Sequence, residues 1–215
     1  MAKDKYILFE FDGVIADSAK PAYRVYNWLH PHTTEEEWKQ QFEGNVFEHK
    51  TRDEEHTQEC KLDIPWYDAY LTFMKTEVDI FPGMKEVILE LEKNYKLLII
   101  SSTLSFPIEE FLDSHDLRSH FDWVMGSDIH KSKVEKIRMV FEKYDTTAGD
   151  CVFVTDTLGD LREAEKMNVE SVAVSWGFNS TETLRKGKHV IVVEKPEEVV
   201  TAVNNFFNQQ QKKEN

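Results

Sequence analysis

The chain has 215 residues, enough for one domain of ordinary size with an insertion or for two small domains. Its 40 acidic residues outnumber the 26 basic ones, and the net charge of −14 repels nucleic acids and anionic membranes. No apolar run approaches the length of a membrane span, and no signal region precedes the first apolar segment. The cysteines, Cys60 and Cys151, lie far apart and predict no disulfide framework. We therefore expect a cytoplasmic protein with no nucleic-acid or membrane partner.

The first predicted strand is the apolar run Tyr6-Ile7-Leu8-Phe9, which is followed by Glu10 and Asp12. Four apolar residues without alternation are typical of a strand buried on both faces, as in the centre of a parallel sheet. Glu10 and Asp12 are two residues apart, so their carboxylates can face one ligand. Gly13 allows a sharp turn that brings backbone amides close to that ligand. The alternative is an edge strand with solvated acids.

Residues 17–80 are mostly helical in pattern and rich in aromatic residues. Helices are predicted over 21–30 and over 65–76, and a capping box formed by Thr34 and Glu37 predicts the start of another helix between them. The polar segment 44–59 indicates a connection or a weakly packed helix. We expect the aromatic side chains to form a core between these helices, which could cover the acids. Four histidines in this segment lack a spacing typical of a metal site: His30, His32, His49 and His56.

Strands and helices then alternate to the end of the chain. A turn at 81–83 opens a helix, and strands are predicted over 96–100, 123–125, 151–154, 172–175 and 190–193. Further helices are predicted over 107–115 and over 196–207, and a capping box formed by Ser132 and Glu135 predicts the start of one between them. The polar tail over 208–215 is predicted to be disordered. Cys151 is predicted to be a core residue. This order predicts an α/β protein with a doubly wound parallel sheet, in which ligands bind beyond the carboxyl ends of the strands.

Polar residues stand at those carboxyl ends. Ser101 and Ser102 follow the second strand, and Asp156 and Asp160 follow the strand that starts at Cys151. Lys133 lies in the first turn of a helix, where backbone amides already favour an anion. The alternative for Lys133 is a solvated surface lysine.

Taken in order, these residues resemble the motifs of the haloacid dehalogenase superfamily, whose members are mostly magnesium-dependent phosphatases. The resemblance covers a Rossmann-like core, residues 1–16 and 81–215, and residues 17–80 resemble the helical cap of the phosphoglycolate phosphatase and β-phosphoglucomutase branch. It implies a catalytic set of Glu10, Asp12, Ser101 and Lys133. It also implies phosphate binding by Gly13, Ser101, Ser102 and Lys133, and a Mg²⁺ site formed by Glu10, Asp12, Asp156 and Asp160.

The chain departs from the family pattern at the nucleophile. The first motif of the family is Asp-x-Asp-Gly, and Glu10 stands where the nucleophilic Asp is expected. Thr155 replaces a common glycine, and Lys131 is a second candidate for the role of Lys133. Because the Glu carboxylate extends one methylene further, by about 1.5 Å, and a misplacement of about 1 Å can cost on the order of a hundredfold in rate, we expect low or absent activity.

Three explanations of Glu10 stay open: an enzyme adapted to Glu, a descendant that binds phosphate without turnover, and a deliberate substitution. The leading hypothesis is a magnesium-dependent phosphatase of a small phosphorylated metabolite. The alternatives are a phosphate-binding or regulatory protein, and a phosphonatase, phosphosugar mutase or metal-free dehalogenase of the same fold. Asp12 counts against the dehalogenase, which has no use for an acid at that position.

Overall fold

The structure is a computed structural model that describes residues 4–47, 66–188 and 191–214. A six-stranded, fully parallel sheet forms its centre, with strand order β3-β2-β1-β4-β5-β6. The strands are β1 (Tyr6–Phe9), β2 (Lys96–Ile100), β3 (Trp123–Met125), β4 (Cys151–Thr155), β5 (Glu170–Val174) and β6 (Ile191–Val193). The chain order reverses beside β1, as in a doubly wound fold. The predicted fold class is confirmed.

The unbroken apolar pattern of β1 is explained by its place in the sheet. Ile7 pairs with Leu97 of β2 on one side and with Val152 of β4 on the other. Ile7 and Phe9 are buried in the core of one face, and Tyr6 and Leu8 are buried in the core of the other. A strand covered on both faces needs apolar side chains at every position.

Helices cover both faces of the sheet. One face carries α4 (Met84–Leu91), α5 (Ser105–Ser114) and α9 (Pro196–Glu214), and the other carries α6 (Lys133–Tyr144) and α7 (Leu158–Lys166). A short α8 (Thr181–Leu184) follows β5. Within the described parts of the chain, no helix is long and apolar enough to cross a membrane.

The segment between β1 and α4 contains α1 (Ala19–Leu29), α2 (Glu35–Gln40), a 3₁₀ turn over 41–43 and α3 (Trp66–Glu77). Helix α1 packs on α3, with Val25 buried against Phe73. The chain leaves and re-enters the core side by side, because Ala16 forms an antiparallel bridge with Ile80 and Asp17 N donates to Asp79 O at 2.9 Å. The division into a core and a 17–80 cap remains a prediction that this pairing supports.

Several local predictions can be compared with the structure. At Thr34 the capping box forms as predicted, with both reciprocal hydrogen bonds to Glu37. The box at Ser132 is wrong: α6 begins at Lys133, but the Ser132 side chain caps nothing and its Oγ donates to Glu163 of α7 instead. Strand β5 and helix α5 each begin two residues earlier than predicted.

The predicted disorder of residues 208–215 is also wrong where the structure describes it, because α9 continues to Glu214. Phe206 and Phe207 are buried against the core, and the Gln and Lys residues that follow are good helix formers with no Gly or Pro to end the helix. The predictions for His49, His56, Cys60, the 48–59 part of the connection and Val190 lie outside the described residues.

Candidate active site

The predicted site residues meet at the carboxyl edge of the sheet, around a cavity of about 420 Å³. Those that line the cavity are Glu10, Asp12, Ser102, Lys133, Asp156 and Asp160. Ser101 lies directly behind Glu10, and Gly13 lies against Asp156. The site is assembled there because parallel strands place all their carboxyl ends at one edge.

Glu10 follows β1 and is almost fully buried, with 4% of its surface exposed. Ser101 Oγ donates to Glu10 Oε1 at 2.6 Å, and Lys133 Nζ donates to Glu10 Oε2. Burial raises the pKa of the Glu10 carboxyl to about 7, against the attraction of the Lys133 ammonium. Both carboxylate oxygens are therefore held by hydrogen bonds, while burial disfavours the ionised form of the group.

Lys133 links two of the acids. Its ammonium is buried and bonds both Glu10 and Asp160 Oδ1. Burial disfavours its charge, but the nearby Asp160 and Glu10 carboxylates outweigh that effect and raise the pKa of Lys133 above its usual value. Asp160 is fixed in turn, because Thr155 Oγ1 donates to its Oδ2 at 2.6 Å. Lys131 is exposed, with its ammonium 5.4 Å from the centre of the Phe47 ring.

Asp12 faces the same cavity as Glu10 and has a different environment. It is half-buried, and Thr103 Oγ1 donates to its Oδ2 at 2.6 Å. The two acids at the end of β1 therefore have separate polar partners. Glu10 is buried and Asp12 is more accessible, and two carboxyl groups in such different surroundings can take separate chemical roles.

Asp156, directly after β4, lies between two glycines. A Cβ atom at Gly13 or at Gly177 would lie 2.1 Å from Asp156 Oδ2, and Gly13 has a positive φ of 75°. Phe178 N donates to this Oδ2 at 2.6 Å, whereas the buried Oδ1 has no hydrogen-bond partner among the residues that the structure describes. Burial raises the pKa of the Asp156 carboxyl well above its usual range.

The donor chemistry of the edge fits Mg²⁺ in part. All four predicted ligands supply carboxylate oxygens, and the bare Asp156 Oδ1 is an atom that a hard cation would satisfy. However, the Lys133 ammonium bonds Glu10 and Asp160, and the described residues contain no preformed group of three or more His, Cys, Asp or Glu side chains that could hold a metal. The structure brings the four acids to one cavity but does not assemble them as a metal shell.

Among the residues not anticipated from the sequence are two buried charged side chains. Glu163 is buried and its Oε1 accepts from Asn45 Nδ2 at 3.2 Å, Ser132 Oγ at 3.2 Å and Lys133 N at 3.1 Å. Lys136 is fully buried and its ammonium donates to the Ser101 carbonyl. Each lies three residues after a predicted site residue on the same helix, and that spacing is the signal that could have identified them.

The predicted aromatic packing is present, and it also forms part of the cavity wall. Trp38 of the insertion packs against Phe178 of the core at a ring-centre distance of 5.3 Å, and Phe42 packs against Phe178 at 4.7 Å. All three rings, with those of Tyr26 and Phe47, line the cavity. The backbone of Phe178 holds Asp156, so the same residue contacts both the aromatic wall and the acidic edge.

Comparison with known proteins identifies the class. The haloacid dehalogenase-like hydrolase family matches residues 7–174, and the chain belongs to this family. A probable phosphatase, IndB, from Dickeya dadantii is 27% identical over 129 residues, which cover 58% of this chain and 56% of that protein. Phosphoglycolate phosphatase from Synechococcus elongatus is 27% identical over 133 residues, which cover 61% and 63%. The chain thus spans about three fifths of these curated relatives.

Solved structures show the same fold over nearly the whole chain. A predicted phosphatase from Clostridium acetobutylicum superposes with a TM-score of 0.76 at 19% identity, covering 95% of this chain and 100% of that one. CbbY from Rhodobacter sphaeroides, solved in complex with phosphate, gives a TM-score of 0.74 at 19% identity and covers 94% and 99%. At such identities the likeness establishes the fold.

Proposed function

We propose that the protein is a magnesium-dependent phosphatase of a small phosphorylated metabolite, acting in the cytoplasm, and that Glu10 limits its rate. The observation that carries this proposal is the buried contact of Lys133 with both Glu10 and Asp160 at the floor of a cavity. A buried ammonium between carboxylates is the arrangement needed where a carboxylate must approach an anionic phosphoryl group. The family and the phosphatase relatives agree with this assignment.

Each residue then has a chemical role. A carboxylate oxygen of Glu10 attacks phosphorus, and Lys133 offsets the repulsion between the two anions. Asp12 protonates the leaving oxygen and later takes a proton from the water that hydrolyses the acylphosphate. Ser101 orients Glu10, and Ser102, which lines the cavity, donates to the phosphoryl oxygens. The Gly13 amide, which the sequence predicted for this role, donates instead to the Ala16 carbonyl at 3.0 Å. Mg²⁺ bound by Asp156 with Glu10, Asp12 and Asp160 would supply positive charge to the phosphoryl group.

Two features of Glu10 support a slow reaction. Its carboxylate extends about 1.5 Å further than that of Asp, which is enough to spoil in-line attack by on the order of a hundredfold. In addition, Ser101 and Lys133 engage both oxygens of the carboxylate, so neither oxygen is free to attack phosphorus.

The same observation favours a second candidate, a protein that binds phosphate esters without hydrolysing them. A carboxylate whose two oxygens are both bonded is well suited to holding Lys133 in place and poorly suited to attack. The anion would then be bound by the Lys133 ammonium and the hydroxyl and amide groups around it.

Phosphate release from a panel of phosphorylated metabolites, with and without Mg²⁺, tests the proposal. The chain, Glu10→Asp and the isosteric Glu10→Gln should be compared. We expect slow Mg²⁺-dependent release from the chain, none from Glu10→Gln, and an increase for Glu10→Asp of about tenfold to a hundredfold, the reverse of the misplacement cost. Equal rates for the chain and Glu10→Gln would refute Glu10 as the nucleophile. Inactivity of all three across the panel, with phosphate still bound, would establish the binding protein.

A further inference from the structure

The cavity has two chemically different ends. Its floor carries the acids and Lys133, as described above. The rest of its lining comes mainly from the insertion and from Phe178, and the large side chains there are the rings of Tyr26, His30, Trp38, Phe42, Phe47 and Phe178. A phosphoryl group at the floor would direct its leaving group towards this part of the lining, which we call the aromatic wall.

Four rings of the aromatic wall, those of Tyr26, Trp38, Phe42 and Phe178, pack on one another. Trp38 packs edge-on against Phe42 at 5.1 Å and lies 6.4 Å from Tyr26, and both Trp38 and Phe42 contact Phe178. Trp38 and Phe178 are nearly buried, whereas Phe47 is 41% exposed. Flat surfaces fixed in this way bind a flat ligand at little entropic cost.

The polar side chains at this end already have partners within the protein. Gln41 Nε2 donates to Tyr26 Oη at 2.9 Å. Asn45 Nδ2 donates to Glu163 at 3.2 Å, and Asn45 Oδ1 accepts from Phe47 N at 2.9 Å. A ligand need not satisfy them, and a charged ligand would have to compete for them.

Charge sets a second restriction. Among the described residues that line the cavity, Lys133 has the only permanently positive side chain, and it is bonded to Glu10 and Asp160 at the floor. Two further basic groups lie near this end: the Lys131 ammonium is 5.4 Å from the centre of the Phe47 ring although Lys131 does not line the cavity, and the His30 ring, which does line it, packs on Tyr26 at 4.5 Å. A carboxylate on the leaving group would lie beside aromatic rings and away from Lys133, the fixed cation of the described lining, and such surroundings disfavour an unpaired charge. Leaving groups such as glycolate therefore do not match the aromatic wall.

We infer that the substrate is a monophosphate ester whose leaving group is uncharged and presents an aromatic or other flat apolar face to Trp38, Phe42 and Phe47. This inference rests on the proposed function, because it assumes that the phosphoryl group lies at the floor beside Lys133. The cavity of about 420 Å³ has room for such a group as well as the phosphoryl group.

Three phosphonates that cannot be hydrolysed test the inference without requiring turnover. Methylphosphonate probes the floor alone, and benzylphosphonate and phosphonoacetate add a phenyl ring or a carboxylate to the same methylene. Binding should be measured by calorimetry on the full chain with Mg²⁺ at about pH 8.5, where histidine is ordinarily neutral. We expect benzylphosphonate to bind at least about tenfold more tightly than phosphonoacetate, which corresponds to a difference of about 1.4 kcal/mol in binding free energy.

The three affinities distinguish an error in the phosphoryl site from an error in the inferred leaving group. If methylphosphonate binds but phosphonoacetate binds as tightly as benzylphosphonate, the proposed floor stands and the inferred leaving group is wrong. If none of the three binds, the phosphoryl site itself is refuted, and the inference falls with it.

A matched pair of variants tests the wall. Phe47→Ser should weaken benzylphosphonate binding about threefold to tenfold, the effect of one aromatic contact, and leave methylphosphonate binding unchanged. Phe106→Ser is the control, because Phe106 is a 64% exposed ring of α5 that does not line the cavity. Equal affinities of both variants for benzylphosphonate would overturn the inference. Lys131→Ala should also keep the preference for benzylphosphonate; its loss would mean that Lys131 governs selectivity.

Discussion

Lys136 offers a test of how the site is supported from behind. It is fully buried on α6, and its ammonium donates to the carbonyl of Ser101, whose hydroxyl donates to Glu10. Burial and the nearby Lys133 ammonium lower the pKa of Lys136 to about 8. We consider the substitution Lys136→Met, which keeps the length of the side chain and removes the charge and the donor.

The expected effect of Lys136 on the free energy of unfolding follows from its lowered pKa. Lysine has a pKa of about 10.5 in the unfolded chain, so a folded value of about 8 means that the charged form of Lys136 costs about 3 kcal/mol of stability at neutral pH. Between about pH 8 and pH 10.5 the unfolded state binds more protons than the folded state, and stability therefore rises with pH. The stability gained when Lys136 is neutral is therefore fully present above the unfolded pKa of about 10.5 and is lost as the pH falls through the folded pKa of about 8.

The variant exchanges one cost for another. It removes the charge but leaves the Ser101 carbonyl without this donor, which costs about 1 to 3 kcal/mol. At pH 7 the two effects nearly cancel, whereas above pH 10 only the loss of the hydrogen bond remains. The difference in unfolding free energy, wild type minus Lys136→Met, should thus grow by about 2 to 3 kcal/mol from pH 7 to pH 10.

Urea denaturation at several pH values between 7 and 10 measures this difference. Lys166→Met is the control, because Lys166 is exposed on α7 and its substitution should give a difference that does not vary with pH. A pH-independent difference for Lys136→Met would refute the reasoning, since it would mean that Lys136 keeps an ordinary pKa in the folded protein.

Three further results are expected. Mg²⁺ should raise the melting temperature of this chain but not of Asp156→Asn, because the buried Asp156 Oδ1 has no hydrogen-bond partner within the described part of the chain, and equal shifts would exclude Asp156 as a ligand. Glu163→Ala removes the acceptor of three hydrogen bonds and should cost about 2 to 4 kcal/mol in urea denaturation; a cost as small as that of the exposed Glu165→Ala would contradict this. The Cys151 thiol, whose pKa burial raises to about 12, should resist alkylation in the native state and react after unfolding, and rapid native labelling would disprove its burial.

The sequence predicted the sheet and its edge because both depend on local pattern. A strand such as β1 is apolar at every position when both faces are covered, and the first polar residues after it mark the carboxyl end. Since parallel strands end at one edge, Glu10, Asp12 and Asp156 could be expected to meet without knowledge of any contact. The identity of the strands was therefore enough to locate the site.

Features that depend on tertiary contacts could not be predicted in this way. Ser132 has the sequence of a helix cap, but its hydroxyl bonds Glu163 on a neighbouring helix. Lys136 looks like a surface lysine until the carbonyl of Ser101 provides a buried acceptor. Trp38 was predicted to be a core residue and is one, yet the same ring also lines the cavity. In each case the deciding partner is far away in sequence.

The contacts of Glu10 show what a change of side chain would require. Its extra methylene brings the carboxylate within reach of both Ser101 and Lys133. The longer side chain therefore stays buried, with both carboxylate oxygens hydrogen-bonded, and does not extend into solvent. Aspartate would withdraw the carboxylate by about 1.5 Å. The Lys133 ammonium, on a flexible four-carbon stem, can follow it, whereas Ser101 is short and its carbonyl is fixed by Lys136. Glu10→Asp should therefore keep the ion pair with Lys133 and lose the bond to Ser101, which frees one carboxylate oxygen for attack.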